Sequence, residues 1–231
     1  MIETALSAPD LRSEKLISDI YRFIWVGIPK SATRSILTLL HRDPPLDFGT
    51  RQVTDELQHF VNSNGQYRDY FKFTFVRNPW SRVVSTYFNK IRTEKEEVRR
   101  MFAGRYPGLH DDMSFEQFVT FLVEHPQGSD KHADRHWISQ HLFLIDDRGD
   151  VLVDFIGKVE NLANDFGQIT NRLGLGTFEL PVLNTRQGWN GNAESLSLSD
   201  PYEYRQYYTA KTREMIRQRY AVDIESFQYD F

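Results

Sequence analysis

The chain has 231 residues, 40% of them hydrophobic and 14% aromatic, which excludes a disordered chain and suits one α/β domain with a substantial core. Its formal charge of -4 excludes polyanion binding by bulk attraction, so an anion site must be local and nucleic acid is not an expected partner. It contains no cysteine, which excludes disulfides and thiolate-held metals and fits a reducing compartment.

Residues 1–20 (MIETALSAPDLRSEKLISDI) carry acids and a proline where a secretory leader would be apolar,. They are read as an N-terminal extension. No stretch approaches the roughly 20 apolar residues of a membrane span, so the expectation is a soluble cytoplasmic protein, most simply a bacterial one. No repeat or low-complexity linker interrupts the chain, and one domain is expected over 1–231.

Residues 22–28 (RFIWVGI) are a continuous apolar run stopped by Pro29, the pattern of a buried parallel strand. Ile36, Leu37, Leu39 and Leu40 then mark one face of a helix over about 33–41, ended by Pro44-Pro45,. Residues 70–80 (YFKFTFVRNPW) predict a second buried strand that ends at Asn78-Pro79. Residues 81–91 (SRVVSTYFNKI) predict a helix with Val84, Phe88 and Ile91 on one face and Ser81 as its cap,.

The charged, glycine-containing stretch 92–113 reads as a surface excursion, with 92–100 as a solvated helix face,. Ser114 and Gln117 form a capping box ahead of a helix over 114–125. A short strand follows at 153–158, then a helix from about Asn161 to Leu173 with Gly174 as its stop,. Residues 175–198 have no regular pattern. A last helical region begins with Ser199 as cap and Pro201 in its first turn,. Strands alternating with helices imply an α/β sandwich, a central parallel sheet flanked by helices.

The chemistry concentrates where the first apolar strand meets its helix. A strand feeding a tight loop and a helix offers backbone N–H groups and the positive end of the helix dipole, and anions bind there. Lys30 adds a full charge, Arg34 a second cation, and Ser31, Thr33 and Ser35 add hydroxyls. The loop is therefore expected to hold a phosphate or sulfate group. It is not the nucleotide-triphosphatase loop, which needs a glycine directly before its lysine. At the end of the second strand Arg77 can contact a phosphate bidentately, and Ser85, eight residues on, can donate from the next helix. An anion loop plus a separate Arg/Ser clamp implies a ligand with two anionic groups set apart.

These stretches resemble a known family. IPKSATRSI (28–36) is similar to the 5′-phosphosulfate loop of sulfotransferases. FTFVRNPWSRVVSTYF (73–88) is similar to their 3′-phosphate motif, V-R-[DN]-P followed by R-x-x-S. DRHWISQ (134–140) and DFIGKVENLANDF (154–166) resemble the D-x-H-W and D-F-[IV]-G-K-x-E-x-L segments of carbohydrate sulfotransferases, the type that includes the HNK-1 and chondroitin 4-O-sulfotransferases. The likeness covers roughly 21–231. The family's Golgi members carry a membrane anchor and cysteine pairs; no anchor is expected here, the 231 residues hold no cysteine, and Ala32 and Arg34 stand where relatives often have Gly or Cys and Thr or Asn.

The resemblance implies a P-loop-like sulfotransferase fold and a donor, 3′-phosphoadenosine 5′-phosphosulfate, with no metal. Lys30 would serve the bridging oxygen, with the segment Ser31, Ala32, Thr33, Arg34 and Ser35 on the 5′-phosphate. Arg77 and Ser85 would hold the 3′-phosphate. The acceptor, a carbohydrate or other hydroxyl-bearing molecule, needs a base of near-neutral pKa, which fits a histidine. His136 in the DRHW segment, with Asp134 to orient it, is preferred over His59, which lies between the two nucleotide motifs. His125 reads as a helix-end residue, Glu160 as a helix cap and Arg186 as a surface residue; Trp25, Trp80 and Tyr202 to Tyr208 read as packing. The competing functions are a P-loop-type nucleotide kinase and an inactive nucleotide-binding relative.

Overall fold

In the computed structural model, which describes residues 8–42, 47–55, 57, 61, 65–175 and 203–231, the strands are β1 Ser13–Ser18, β2 Phe23–Gly27, β3 Thr50–Asp55, β4 Phe71–Val76 and β5 Phe155–Lys158. They form one sheet in the order β3-β1-β2-β4-β5. The apolar runs behave as expected: β2 pairs parallel with β4, and β4 pairs parallel with β5. Phe23 and Phe73 pack across β2 and β4 with ring centroids 5.6 Å apart. Gly157 of β5 stands opposite Phe75, and a Cβ there would lie 2.6 Å from that ring, so a larger residue would force the ring to move.

The other side of the sheet is antiparallel, which the sequence did not foretell. β1 pairs antiparallel with both β2 and β3, so 13–18, expected within an N-terminal extension, form an interior strand. Its sequence SEKLIS hides this because Lys15 is charged yet fully buried. The Lys15 ammonium donates to the Ser13 carbonyl at 3.1 Å, to the Ser13 hydroxyl at 3.2 Å, and to the Asp55 carbonyl. Those acceptors offset the desolvation that keeps most lysines outside. β3 is polar and largely exposed, as suits an edge strand.

The helices include α1 Thr33–Leu37, α2 Pro79–Thr86, α3 Glu96–Arg105, α4 Phe115–Glu124, α5 Leu162–Arg172, α6 Ala210–Arg219 and α7 Ala221–Ser226. π-helical turns, Thr38–Arg42 and Tyr87–Ile91, continue α1 and α2. The expected α/β class holds, with a mixed sheet in place of a wholly parallel one. The α4 capping box forms as expected, with Ser114 and Gln117 bonded reciprocally. α2 starts earlier than expected: Asn78 is its cap, accepting from the N–H groups of Trp80 and Ser81, and Ser81 is buried inside the helix. The excursion 92–113 contains α3. Among the described residues, no helix is long and apolar enough to cross a membrane.

The chain divides into two units. The first holds Leu11–Arg77 and Gln140–Leu183, hence the sheet, α1 and α5. The second holds Met1–Asp10, Asn78–Ser139 and Asn184–Phe231, hence α2, α3, α4, α6 and α7. Its core gathers around Trp137, whose ring lies 4.9 Å from Tyr106, 6.0 Å from Phe102 and 6.1 Å from Phe121.

Candidate functional site

In the first unit the segment after β2 turns sharply through two residues in left-handed backbone, Lys30 at φ 72° and Ala32 at φ 57°. Such a conformation costs a non-glycine residue about 1–3 kcal/mol and concentrates at functional sites. Ile28 closes the turn with its carbonyl, which accepts the Ser31 N–H at 3.1 Å and the Thr33 hydroxyl at 2.7 Å. Ala32 is the cap of α1 and provides no capping side chain. The first bond into the helix is from Ile36 N–H to the Ala32 carbonyl at 3.1 Å, so the N–H groups of Thr33, Arg34 and Ser35 have no acceptor within the helix. A serine, threonine or aspartate at the cap would normally take one of them. Here the Ala32 side chain takes none of them.

Arg77 follows β4 directly, and its guanidinium donates to the Lys30 carbonyl at 3.3 Å. The two anion-binding segments were expected to lie apart; within this unit the Arg77 head rests on the Lys30 loop itself. Gln140 joins them. Its Oε1 accepts the Ser31 hydroxyl at 2.9 Å and the Arg77 N–H at 2.9 Å, while its Nε2 donates to the Arg77 carbonyl at 2.8 Å. Both Ser31 donors, hydroxyl and N–H, are therefore committed to the scaffold, and a bond from Ser31 to an anion would require exchanging one of them. Thr33 likewise directs its hydroxyl proton to Ile28 and offers its N–H. Arg34 is exposed and Ser35 half-buried.

In the second unit, the segment 134–138 is gripped from several sides. Asp134 Oδ1 lies 2.5 Å from His136 Nδ1 and accepts the His136 N–H at 2.9 Å, and the Tyr106 hydroxyl donates to Asp134 Oδ2. Burial pushes the Asp134 carboxyl up, but the His136 hydrogen bond and charge, helped by Tyr106, outweigh it and hold the pKa at about 2. Burial raises the Tyr106 pKa, and Asp134 adds to this. An ionised Asp134 can only accept, so the His136 proton on that side sits on Nδ1 and the basic nitrogen of the neutral ring is Nε2.

The backbone of the segment is fixed by α2. Arg82, 2% exposed, donates to the Ile138 carbonyl at 2.7 Å and the Arg135 carbonyl at 3.2 Å, and the Thr86 hydroxyl reaches the His136 carbonyl at 3.0 Å. Trp137 Nε1 donates to the Gln127 carbonyl at 2.9 Å, and the Tyr220 hydroxyl to the Trp137 carbonyl at 2.6 Å. Ser85 is buried on α2. The motif that carries Arg77 and Ser85 is thus divided: the unit boundary falls between Arg77 and Asn78.

Lys30, Ser31, Ala32, Thr33, Arg34, Ser35 and Arg77 come together in one unit, and Ser85 and His136 fall in the other. His59 and Arg186 lie outside the described residues, as do Pro44-Pro45, Ser199, Pro201 and nearly all of 175–198. His125 ends α4, as expected. Tyr106, Thr86 and Gln140 were not singled out by sequence reasoning, and Arg82 entered it only as the first residue of R-x-x-S. Gln140 closes the quoted DRHWISQ segment, but a polar residue there shows its value only through partners 63 and 109 positions away.

The sulfotransferase family profile matches residues 13–230, and the chain belongs to that family. Carbohydrate sulfotransferase 14 of Mus musculus is 30% identical over 183 residues, covering 67% of this chain and 45% of that protein. Carbohydrate sulfotransferase 12 of Xenopus laevis is 29% identical over 132 residues, covering 49% of this chain and 31% of that protein. Carbohydrate sulfotransferase 11 of Rattus norvegicus is 25% identical over 185 residues, covering 72% and 49%. The chain thus spans about half the length, or less, of these curated relatives. No solved structure matches it.

Proposed function

We propose that this chain, as one sulfotransferase domain, transfers a sulfuryl group from 3′-phosphoadenosine 5′-phosphosulfate to a hydroxyl of a carbohydrate. The observation that carries this reading is the start of α1: a strained turn with an alanine for a cap, three N–H groups without acceptors in the helix, and Lys30 and Arg77 alongside. Family membership implies a sulfuryl donor, and the residues present fit one that is anionic. The names of the curated relatives support a carbohydrate acceptor. One continuous family match over 13–230 supports a single domain.

The donor, when bound, supplies the sulfuryl group and keeps the charge that develops on its 5′-phosphate. The N–H groups of Thr33, Arg34 and Ser35 would hold phosphate oxygens, and the Lys30 ammonium would stabilise the developing charge. Arg77 has the planar fork suited to a phosphate, and the family motif gives Ser85 the same ligand. His136 would take the acceptor's hydroxyl proton at Nε2, while Asp134 fixes the ring and stabilises its charged form.

The test is binding and turnover together. Adenosine 3′,5′-bisphosphate should raise the thermal midpoint while ATP with magnesium does not, and labelled sulfate should move from the donor to a polysaccharide panel. Stabilisation by ATP alone would point to the kinase reading. Bisphosphate binding without transfer to any acceptor would point to an inactive nucleotide-binding relative.

A further inference from the structure

Gln140 opens a single turn of 3-10 helix, Gln140–Phe143, and is wholly buried. Its amide lies against the backbone of Arg77 as a neighbouring strand would: Arg77 N–H to Oε1 at 2.9 Å, and Nε2 to the Arg77 carbonyl at 2.8 Å. The backbone fixes the amide's orientation, because an N–H can only donate and a carbonyl can only accept. With Oε1 so placed, the Ser31 hydroxyl 2.9 Å away must be the donor. One side chain therefore sets both the end of β4, from which Arg77 projects, and the turn that contains Lys30 and Ala32.

β4 ends at Val76, so Arg77 has left the ladder and its backbone needs another partner. The turn after β2 is strained at Lys30 and Ala32, and strain of that kind persists only where the surroundings enforce it. Gln140 meets both needs. Two bonds that tie the interior of the turn to residues outside it involve this pair, Ser31 to Gln140 and Arg77 to Lys30.

We infer that Gln140 is a positioning residue for donor binding, holding the Lys30 turn and Arg77 in the arrangement that receives the nucleotide's anionic groups. This rests on the sulfotransferase reading of those two segments. Gln140 touches no reacting atom; it acts through Ser31 and Arg77. Glutamate would retain the oxygen that accepts both bonds while losing the donor to the Arg77 carbonyl. Methionine keeps the length and bulk and loses all three bonds.

Gln140→Met, Gln140→Glu and Ser31→Ala are compared with the parent chain below their unfolding transitions. Calorimetric titration with adenosine 3′,5′-bisphosphate gives affinity, and hydrogen exchange over 28–36 gives the order of the turn. Gln140→Met should weaken the nucleotide about tenfold or more, the scale of one lost hydrogen bond or somewhat above, and should speed exchange over 28–36. Ser31→Ala should produce a smaller loss, and the double variant should lose less than the sum, because the two side chains share a bond. Gln140→Glu should fall between the parent and methionine.

A folded Gln140→Met chain with parental affinity and parental exchange overturns the inference and leaves Gln140 as core packing. If the parent itself ignores the bisphosphate, the donor reading fails and exchange alone decides whether Gln140 orders the turn. Should Gln140→Met not fold, Ser31→Ala decides: unchanged affinity and exchange over 28–36 overturn the inference.

Discussion

Two short irregular segments carry the proposed chemistry, and they are built on opposite plans. The turn 28–35 leaves helix-start N–H groups without helical acceptors, holds two non-glycine residues in left-handed backbone, and has alanine where a capping side chain belongs. The segment 134–138 commits its polar groups inward: Asp134 to His136 and Tyr106, the carbonyls of Arg135 and Ile138 to Arg82, that of His136 to Thr86, and that of Trp137 to Tyr220. A binding turn must keep donors for its ligand and bears strain in doing so. A segment that presents one proton-accepting nitrogen gains by being fixed before substrate arrives. The turn is completed from outside and the histidine segment from within.

The largest effects should come from the reacting groups, and they should separate the two plans. His136→Ala should lower kcat by roughly 10²–10⁴, the usual contribution of a general base, with donor affinity near parental and a lower thermal midpoint, since the buried Asp134 loses its main partner. Steady-state kinetics with isothermal titration checks this. Parental kcat would remove His136 from the chemistry, and the same loss in His59→Ala instead would move the base there. Lys30→Ala should lower kcat by about 10²–10³, as for loss of one charge-stabilising donor, and should also weaken the bisphosphate nucleotide, since the turn is a binding device. Loss of kcat with unchanged affinity would mean that Lys30 meets only the developing charge.

A smaller effect probes the pre-ordered segment through pH. The folded pKa of Asp134 is about 2, below the unfolded value near 3.9. Its stabilising contribution is therefore present above about pH 4 and is lost as pH falls from 4 toward 2. The linkage amounts to something on the order of 2 kcal/mol at neutral pH. Asp134→Asn should lower the thermal midpoint at pH 7 and flatten its decline below pH 4. A parental slope in that variant would assign the acid sensitivity to other carboxylates, Asp130 first, whose pKa is lowered by Arg219 and Ser139 against the effect of burial.

What the sequence disclosed follows the same division. Lys30, Arg77 and Ser85 could be nominated because each lies in a local strand-turn-helix stretch, Lys30 after β2 and the other two after β4, and apolar runs mark both strands plainly. The contact of His136 with Asp134 could be anticipated because they are two positions apart. The braces were not, because each joins distant stretches: Arg82 to 135 and 138, Tyr106 to Asp134, Gln140 to Ser31 and Arg77. β1 escaped for a related reason. A buried Lys15 reads as surface until Ser13 and Asp55 are seen accepting from it. Asn78 was passed over as the α2 cap in favour of Ser81, because an Asn-Pro pair reads first as a strand stop, although Pro at the first helical position fits Asn as the cap.

The smallest effect is the most direct measure of strain in the turn. Ala32 at φ 57° occupies a region that costs an L-residue about 1–2 kcal/mol, whereas glycine enters it freely and loses about 0.5–1 kcal/mol through unfolded-state entropy. Ala32→Gly should therefore stabilise the chain by roughly 0.5–1 kcal/mol, or about 1–4 °C in thermal midpoint at this length. Ala32→Val should move it the other way, because a β-branched residue is poorly accommodated there. If Ala32→Gly instead lowers the midpoint while Ala32→Val leaves it alone, the turn is not strained in solution, and its unfilled cap would no longer mark a segment shaped for an outside partner.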